Sequence, residues 1–218
     1  GDDAGNEGAI DGRQRAEAGK MADVIAVRDW GLYNARQYSV RIVNLSLSAG
    51  STTTWVLDPL AQAARAVAST GIVVVTSAGN YGQIGGKTTM GTIGSPGHDP
   101  SVITVGASNM KITPARGDDV VTNFSSRGPT RGALVMSNGQ RVIDNLIKPD
   151  LVAPGNAMVS AGATSTLGQW NRLASRNPGL LTGLTGQVFG QTLMMLSGTS
   201  VSAPVVSGAV ALMLQANP

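Results

Sequence analysis

Leu196-Ser197-Gly198-Thr199-Ser200-Val201-Ser202-Ala203-Pro204-Val205-Val206-Ser207-Gly208 sets a serine among small residues, where an irregular segment becomes an apolar helix over 205–214. The first N–H groups of a helix have no partner inside it, and the helix dipole favours negative charge at that end. An attacking serine and a developing oxyanion gain most in such a place. Gly198 lets the backbone approach a ligand closely, and Thr199 and Ala203 add little bulk. A bare Gly-Thr-Ser would read as an ordinary N-cap, since serine and threonine are favoured there. The longer string, with Ser202-Ala203-Pro204 behind it, is more specific.

Outward from this stretch, helices and strands alternate. Met21, Val24, Ile25 and Leu32 recur at helical spacing, which predicts a helix over 20–37. The short apolar run 41–47 reads as a buried strand. Asp58 suits an N-cap, Pro59 the first helical position, and Gly71 the stop after an alanine-rich body. The β-branched run 72–76 follows as a strand. Strands apolar on both faces, alternating with helices, predict a three-layer αβα fold with a mainly parallel sheet.

The strand at 72–76 ends in Thr76-Ser77-Ala78-Gly79-Asn80-Tyr81-Gly82. Ligands of open α/β sheets bind beyond the carboxyl ends of the strands. An asparagine there can donate its amide N–H to a developing oxyanion, or can simply shape a turn. The glycines after it do not have dinucleotide spacing, and Gly86-Lys87-Thr88 lacks the spacing of a phosphate loop. Net charge is +3, with scattered basic residues and no aromatic interleaving, so no nucleic-acid partner is expected. Cysteine is absent, which excludes disulfides and thiolate metal sites. Asp2, Asp3, Asn6 and Glu7 could hold a structural calcium, but they lack EF-hand spacing and read as a solvated loop; no other cofactor is identifiable. No apolar run approaches the roughly 18–20 residues of a membrane span, and no membrane partner is expected.

Together these blocks resemble the subtilisin-like serine peptidases, the subtilases. Gly-Thr-Ser-Val-Ser-Ala-Pro at 198–204 resembles the family's nucleophile motif, and Ser77-Ala78-Gly79-Asn80 its oxyanion-hole segment. Asn44-Leu45-Ser46-Leu47 resembles the strand that pairs with substrate, with Ser48 where the family usually has glycine. Gly94-Ser95-Pro96-Gly97 resembles the floor of the primary specificity pocket. Asn123-Phe124-Ser125-Ser126-Arg127-Gly128 and Lys148-Pro149-Asp150-Leu151-Val152-Ala153-Pro154-Gly155 resemble two further family blocks, all in the family's order. The resemblance implies peptide-bond hydrolysis through an acyl-enzyme on Ser200, with the Asn80 amide and the Ser200 N–H holding the oxyanion. It implies a peptide or protein substrate held by Leu45, Ser46, Leu47, Ser77, Ala78, Gly79 and Gly94. Gly94 leaves room and no charge is evident, so a large apolar or aromatic residue is expected before the cut. A monomeric protein, extracellular or on the cell surface, is expected from the same source.

Ser-His-Asp chemistry also needs a base and a carboxylate to orient it. The chain has one histidine, His98, in the loop Pro96-Gly97-His98-Asp99-Pro100. Adjacent residues rarely face one another usefully, so His98 reads as an exposed loop residue. In subtilisin the histidine precedes the oxyanion asparagine by roughly 90 residues, which from Asn80 runs off the start of the chain. Asp11-Gly12 lies too near Asn80 to be the family's aspartate motif. Asn80 and Ser200 are about 120 residues apart, against roughly 66 in subtilisin, so surface insertions are expected at 130–147 and 160–192. The expectation is a partial catalytic domain over 1–218, with the aspartate and histidine segments upstream and little activity alone. The alternative is a catalytically dead scaffold or peptide-binding module.

Overall fold

In the computed structural model, residues 26, 29, 33–162, 178–181 and 193–217 are described. The calcium question at 2–7, most of the helix expected over 20–37 and most of the insertion at 160–192 lie outside them. Tyr33 and Asn34 are helical, followed by turns over 35–39.

Strand β1 (Ile42–Leu45) leads through helix α1 (Pro59–Ala68) to β2 (Val73–Ser77). β1 pairs parallel with β2, with Val43 opposite Val74. β2 pairs parallel with β5 (Ile103–Asn109), and β5 with β9 (Leu151–Pro154). The short β6 (Val120–Val121) adds an antiparallel pairing at the end of β5. The expected sheet is present, because β-branched runs on both faces demand cover on both sides.

The cover divides the strand residues by parity. Val74 packs with Ala64, Val67, Ile72 and Val102 on the α1 side, joined by Val43 and Leu45. Val75, Val105 and Ala153 pack on the opposite side against Ala203 and Val206 of α2 (Thr199–Ala216), joined by Ile42 and Val73. Successive strand residues point to opposite faces, so one valine run serves both cores.

α1 forms as read. Asp58 accepts from the N–H groups of Leu60 (3.0 Å) and Ala61 (2.9 Å), Pro59 needs no partner for a missing donor, and Gly71 takes φ +87° after the last turn. α2 differs from the expectation. It begins at Thr199 and runs 18 residues through Pro204, so Ser200 lies inside the first turn. Proline is tolerated near a helix start, where few N–H groups have intrahelical partners. The helix has mean hydropathy 1.4 and is long and apolar enough to cross a membrane, contrary to the expectation that no such run exists. Its small residues conceal the length, and Ala203 and Val206 are buried against the sheet.

Residues 130–147 contain an antiparallel hairpin, β7 (Ala133–Val135) with β8 (Arg141–Ile143). Asp144 latches its base to the body, accepting from Thr54 Oγ1 (2.6 Å) and the Trp55 N–H (3.1 Å). β3 (Gln83–Ile84) with β4 (Lys87–Thr88), and β10 (Met158–Ala161) with β11 (Leu193–Leu196), form two further ribbons.

Candidate active site

Asn80 follows the carboxyl end of β2, and Ser200 occupies the first turn of α2, which starts at the same end of the sheet. The two meet through Thr199. Asn80 Oδ1 accepts from the Thr199 N–H (3.0 Å) and from Thr199 Oγ1 (3.1 Å). Thr199 Oγ1 in turn accepts from the Gly79 N–H (3.2 Å). Both contacts at Oδ1 are donors, so they fix the carbonyl end of the amide toward Thr199 and turn the N–H₂ end away from it. Thr199 is fully buried, Ser200 half-buried and Asn80 exposed. A buried anchor thus joins an exposed asparagine to the residue before a half-buried serine.

Two of the sequence blocks hold this arrangement. The Phe124-Ser125-Ser126 turn braces the loop bearing Asn80: Ser126 N–H donates to Gly79 C=O (2.9 Å), Tyr81 N–H to Ser126 Oγ (3.1 Å), and Gly82 N–H to Phe124 C=O (2.9 Å). A Cβ at Gly82 would collide with the Ser125 carbonyl, so only glycine fits. The Lys148-Pro149-Asp150 block fastens the start of β5. Lys148 Nζ donates to Val102 C=O (2.8 Å) and Asp150 Oδ2 (2.7 Å), and that oxygen also accepts from the Thr104 N–H (2.7 Å). The block ends at Gly155, whose C=O accepts from the Gly198 N–H (2.8 Å). A Cβ there would strike Ser202 Oγ, so the glycine seats the head of α2.

Segments 46–49, 77–79 and 94–95 pack against one another on the Gly79 side of Asn80. Ser77 Oγ donates to Leu47 C=O (2.8 Å), Gly94 N–H to Ala78 C=O (3.1 Å), and Ala49 and Ser95 exchange backbone bonds of 2.9 and 2.8 Å. Leu45 ends β1, Ser46 Oγ accepts from Asn44 Nδ2 (2.9 Å), and Ser77 and Ala78 are fully buried. The residues expected to bind substrate therefore converge. The space that Gly94 leaves is occupied, however: a Cβ there would collide with Ser48 Oγ and lie 2.7 Å from Ala49 C=O.

His98 is not the exposed residue expected. It is 2% exposed, and both ring nitrogens lack hydrogen-bond partners among the described residues. Its Nε2 lies 4.0 Å from Asp58 Oδ2, too far for a hydrogen bond. Neighbouring Asp99 faces elsewhere, accepting from Arg65 Nε (3.0 Å), so the adjacent pair is not a base with its orienter. Asp58 is the hub here, because it also accepts from Ser95 Oγ (2.6 Å) and Ser51 Oγ (2.8 Å). Burial alone raises its pKa, but the bonds from Ser95, Ala61 and Ser51 and the charge of His98 outweigh that and hold the carboxyl below 3.8. Sequence reading missed this hub; Asp58 announces itself only as a cap, and its other partners lie 7 and 37 residues away. Among the described residues no group of three or more His, Cys, Asp or Glu could hold a metal.

The profile of the subtilase family, peptidase S8, matches residues 9–218. This chain is a subtilase. It is 33% identical to serine protease AprX of Bacillus subtilis strain 168, over 92% of this chain and 40% of AprX. It is 29% identical to pyrolysin of Pyrococcus furiosus, over 90% of this chain and 12% of that protein. Among solved structures, Sphericase superposes with a TM-score of 0.59 at 24% identity, covering 91% of this subtilase chain and 50% of Sphericase. The last likeness shows the fold alone. The chain thus spans well under half the length of these two sequence relatives.

Proposed function

We propose that this subtilase chain carries the nucleophile and oxyanion half of a serine endopeptidase. Ser200 attacks the scissile carbonyl, and the Asn80 amide and the Ser200 N–H stabilise the oxyanion as the acyl-enzyme forms. The observation that carries this reading is the Thr199 clasp, which ties Asn80 Oδ1 to the residue before Ser200 and leaves the N–H₂ end turned away from Thr199. The base and its carboxylate come from sequence upstream of residue 1, since His98 is sealed against Asp58. The 218-residue chain alone therefore has little turnover. Extended peptide lies along 45–47, and the 130–147 hairpin is an insertion on this catalytic domain. The family suggests a secreted or cell-surface monomer.

A fluorophosphonate reporter together with casein hydrolysis tests the proposal. The full-length protein is expected to hydrolyse casein and take label at Ser200, and Ser200→Ala to abolish both. Efficient hydrolysis by the 218-residue chain, abolished by Ser200→Ala, would place the base inside this chain and overturn the assignment. No labelling of the full-length protein would remove Ser200 as nucleophile.

A further inference from the structure

The runs 80–97 and 120–143 together carry four basic residues, Lys87, Arg127, Arg131 and Arg141, and no acidic one. The fold lays these runs side by side. Gly82 N–H donates to Phe124 C=O (2.9 Å), Thr92 N–H to Arg127 C=O (2.8 Å), Gly91 N–H to Gly128 C=O (3.1 Å), and Arg127 N–H to Thr92 Oγ1 (3.0 Å). A Cβ at Gly91 would collide with the Arg131 side chain, so Arg131 lies over that loop. Lys87 stands on the β3–β4 ribbon that follows Asn80, and Arg141 continues the row on β8, opposite Val135. Lys87, Arg131 and Arg141 are exposed and Arg127 is half-buried. None of the four has an ion-pair partner among the described residues. The acids that border the two runs are engaged elsewhere or stand alone. Asp99 pairs with Arg65, Asp118 accepts from Thr113, Asp144 accepts from Thr54 and Trp55, and Asp119 makes no ion pair. Like charges gathered without a counter-charge repel one another, and an anion arriving from outside relieves that repulsion.

We infer that this basic surface selects acidic polypeptide substrates, favouring Asp and Glu in the residues that flank the scissile bond over neutral or basic ones. The inference rests on the peptidase reading above and adds the substrate class to it; that reading also favours a polypeptide over a nucleic acid as the anion. The row begins two residues from Asn80, at Gly82, and runs outward from there. An extended substrate advances about 3.3 Å per residue, so the residues that reach the cations are those several places from the bond rather than the one beside it. One exposed pair contributes little by itself. Four cations with no acid among them act together as a field, and that field weakens with salt. Guanidinium and ammonium groups also hydrogen-bond the carboxylates they attract, whereas a basic flank meets only repulsion.

The test uses full-length protein and internally quenched peptides that share one cleavable core and carry flanks of Glu, Gln or Lys. At about 20 mM NaCl, kcat/KM should rank Glu over Gln over Lys, with Glu about tenfold or more above Lys, and the gap should close to about twofold near 0.5 M. Lys87→Gln combined with Arg131→Gln should cut the preference for Glu over Lys to about threefold or less and leave the Gln peptide unchanged. Lys87→Glu, a single change on an exposed ribbon, should weaken the preference by itself and serves if the double variant does not fold. Circular dichroism reports folding. Binding of a fluorescein-labelled Glu peptide to Ser200→Ala protein, followed by anisotropy, reads the surface without the chemistry. Equal kcat/KM for Glu and Lys flanks at low salt, a preference unmoved by Lys87→Glu, no binding of the Glu peptide, or its displacement by an equal concentration of a single-stranded oligonucleotide would overturn the inference. Fluorophosphonate labelling at Ser200 without a flank preference sinks the acidic selection alone. Salt-sensitive, Lys87-dependent binding of the Glu peptide with neither label nor hydrolysis sinks the nucleophile and keeps the surface.

Discussion

Asp58→Ala should destabilise this protein by about 2–4 kcal/mol, and Asp58→Asn by about 1 kcal/mol. The alanine removes the cap of α1, where Asp58 Oδ1 accepts from Leu60 and Ala61, which costs about 1 kcal/mol. It also strands the Ser95 hydroxyl, which is 2% exposed and donates to the same oxygen at 2.6 Å, for about 1–3 kcal/mol. Ser51 is only half-buried and can turn to water, so its bond adds little. Asparagine keeps an oxygen acceptor for the cap and for Ser95, which is why its cost is smaller. For a domain of this size the alanine should lower Tm by about 5–15 °C. Urea unfolding followed by circular dichroism reads both variants. Equal losses for Ala and Asn would mean that the cluster depends on negative charge rather than on an acceptor, and a loss below about 0.5 kcal/mol for Ala would refute the hub.

The same carboxylate predicts an acid limb. Its folded pKa is below 3.8, so its contribution is fully present above pH 3.8 and is lost as pH falls through the folded value; unfolding of Asp58→Asn against pH should lack that component. Asn80→Ala in the full-length protein should lower kcat by about 10²–10³-fold, the loss known for removing such a donor from a subtilisin, with KM little changed. Asn80→Asp retains the acceptor for Thr199 but no donor, so near-native kcat in that variant would exclude the amide as an oxyanion donor. Gly82→Ala forces a Cβ into the Ser125 carbonyl, and should cost about 1–3 kcal/mol in thermal unfolding and loosen the Asn80 loop.

The layout of the sheet is legible in the sequence, and so is the approach of the Asn80 loop to the head of α2, because both are written in local chemistry. Asp58-Pro59 and Gly71 bracket α1, and β-branched runs mark the central strands. Small residues around Ser200 need a tight seat, which Gly155 provides. What sequence could not display was pairing over distance. His98 in a Gly-Pro loop looks solvated, yet it is covered by Asp58 from 40 positions earlier in the chain. The start of α2 was misplaced because Thr, Ser and Pro weaken the helical signal over its first six residues. Gly94 suggested an open floor because the fate of its vacant volume depends on the Ser48 rotamer, which no pattern of letters records.

The bridge from Gly79 through Thr199 to Asn80 joins two distant pieces of chain before any reactant is present. Aligning that carboxamide is accomplished once, when the polypeptide folds, and under the proposed function would not have to be repeated with each substrate. Under the peptidase function proposed above, a base arriving from elsewhere would meet a fixture already set, and its own tolerance for misalignment would decide how fast the reaction runs.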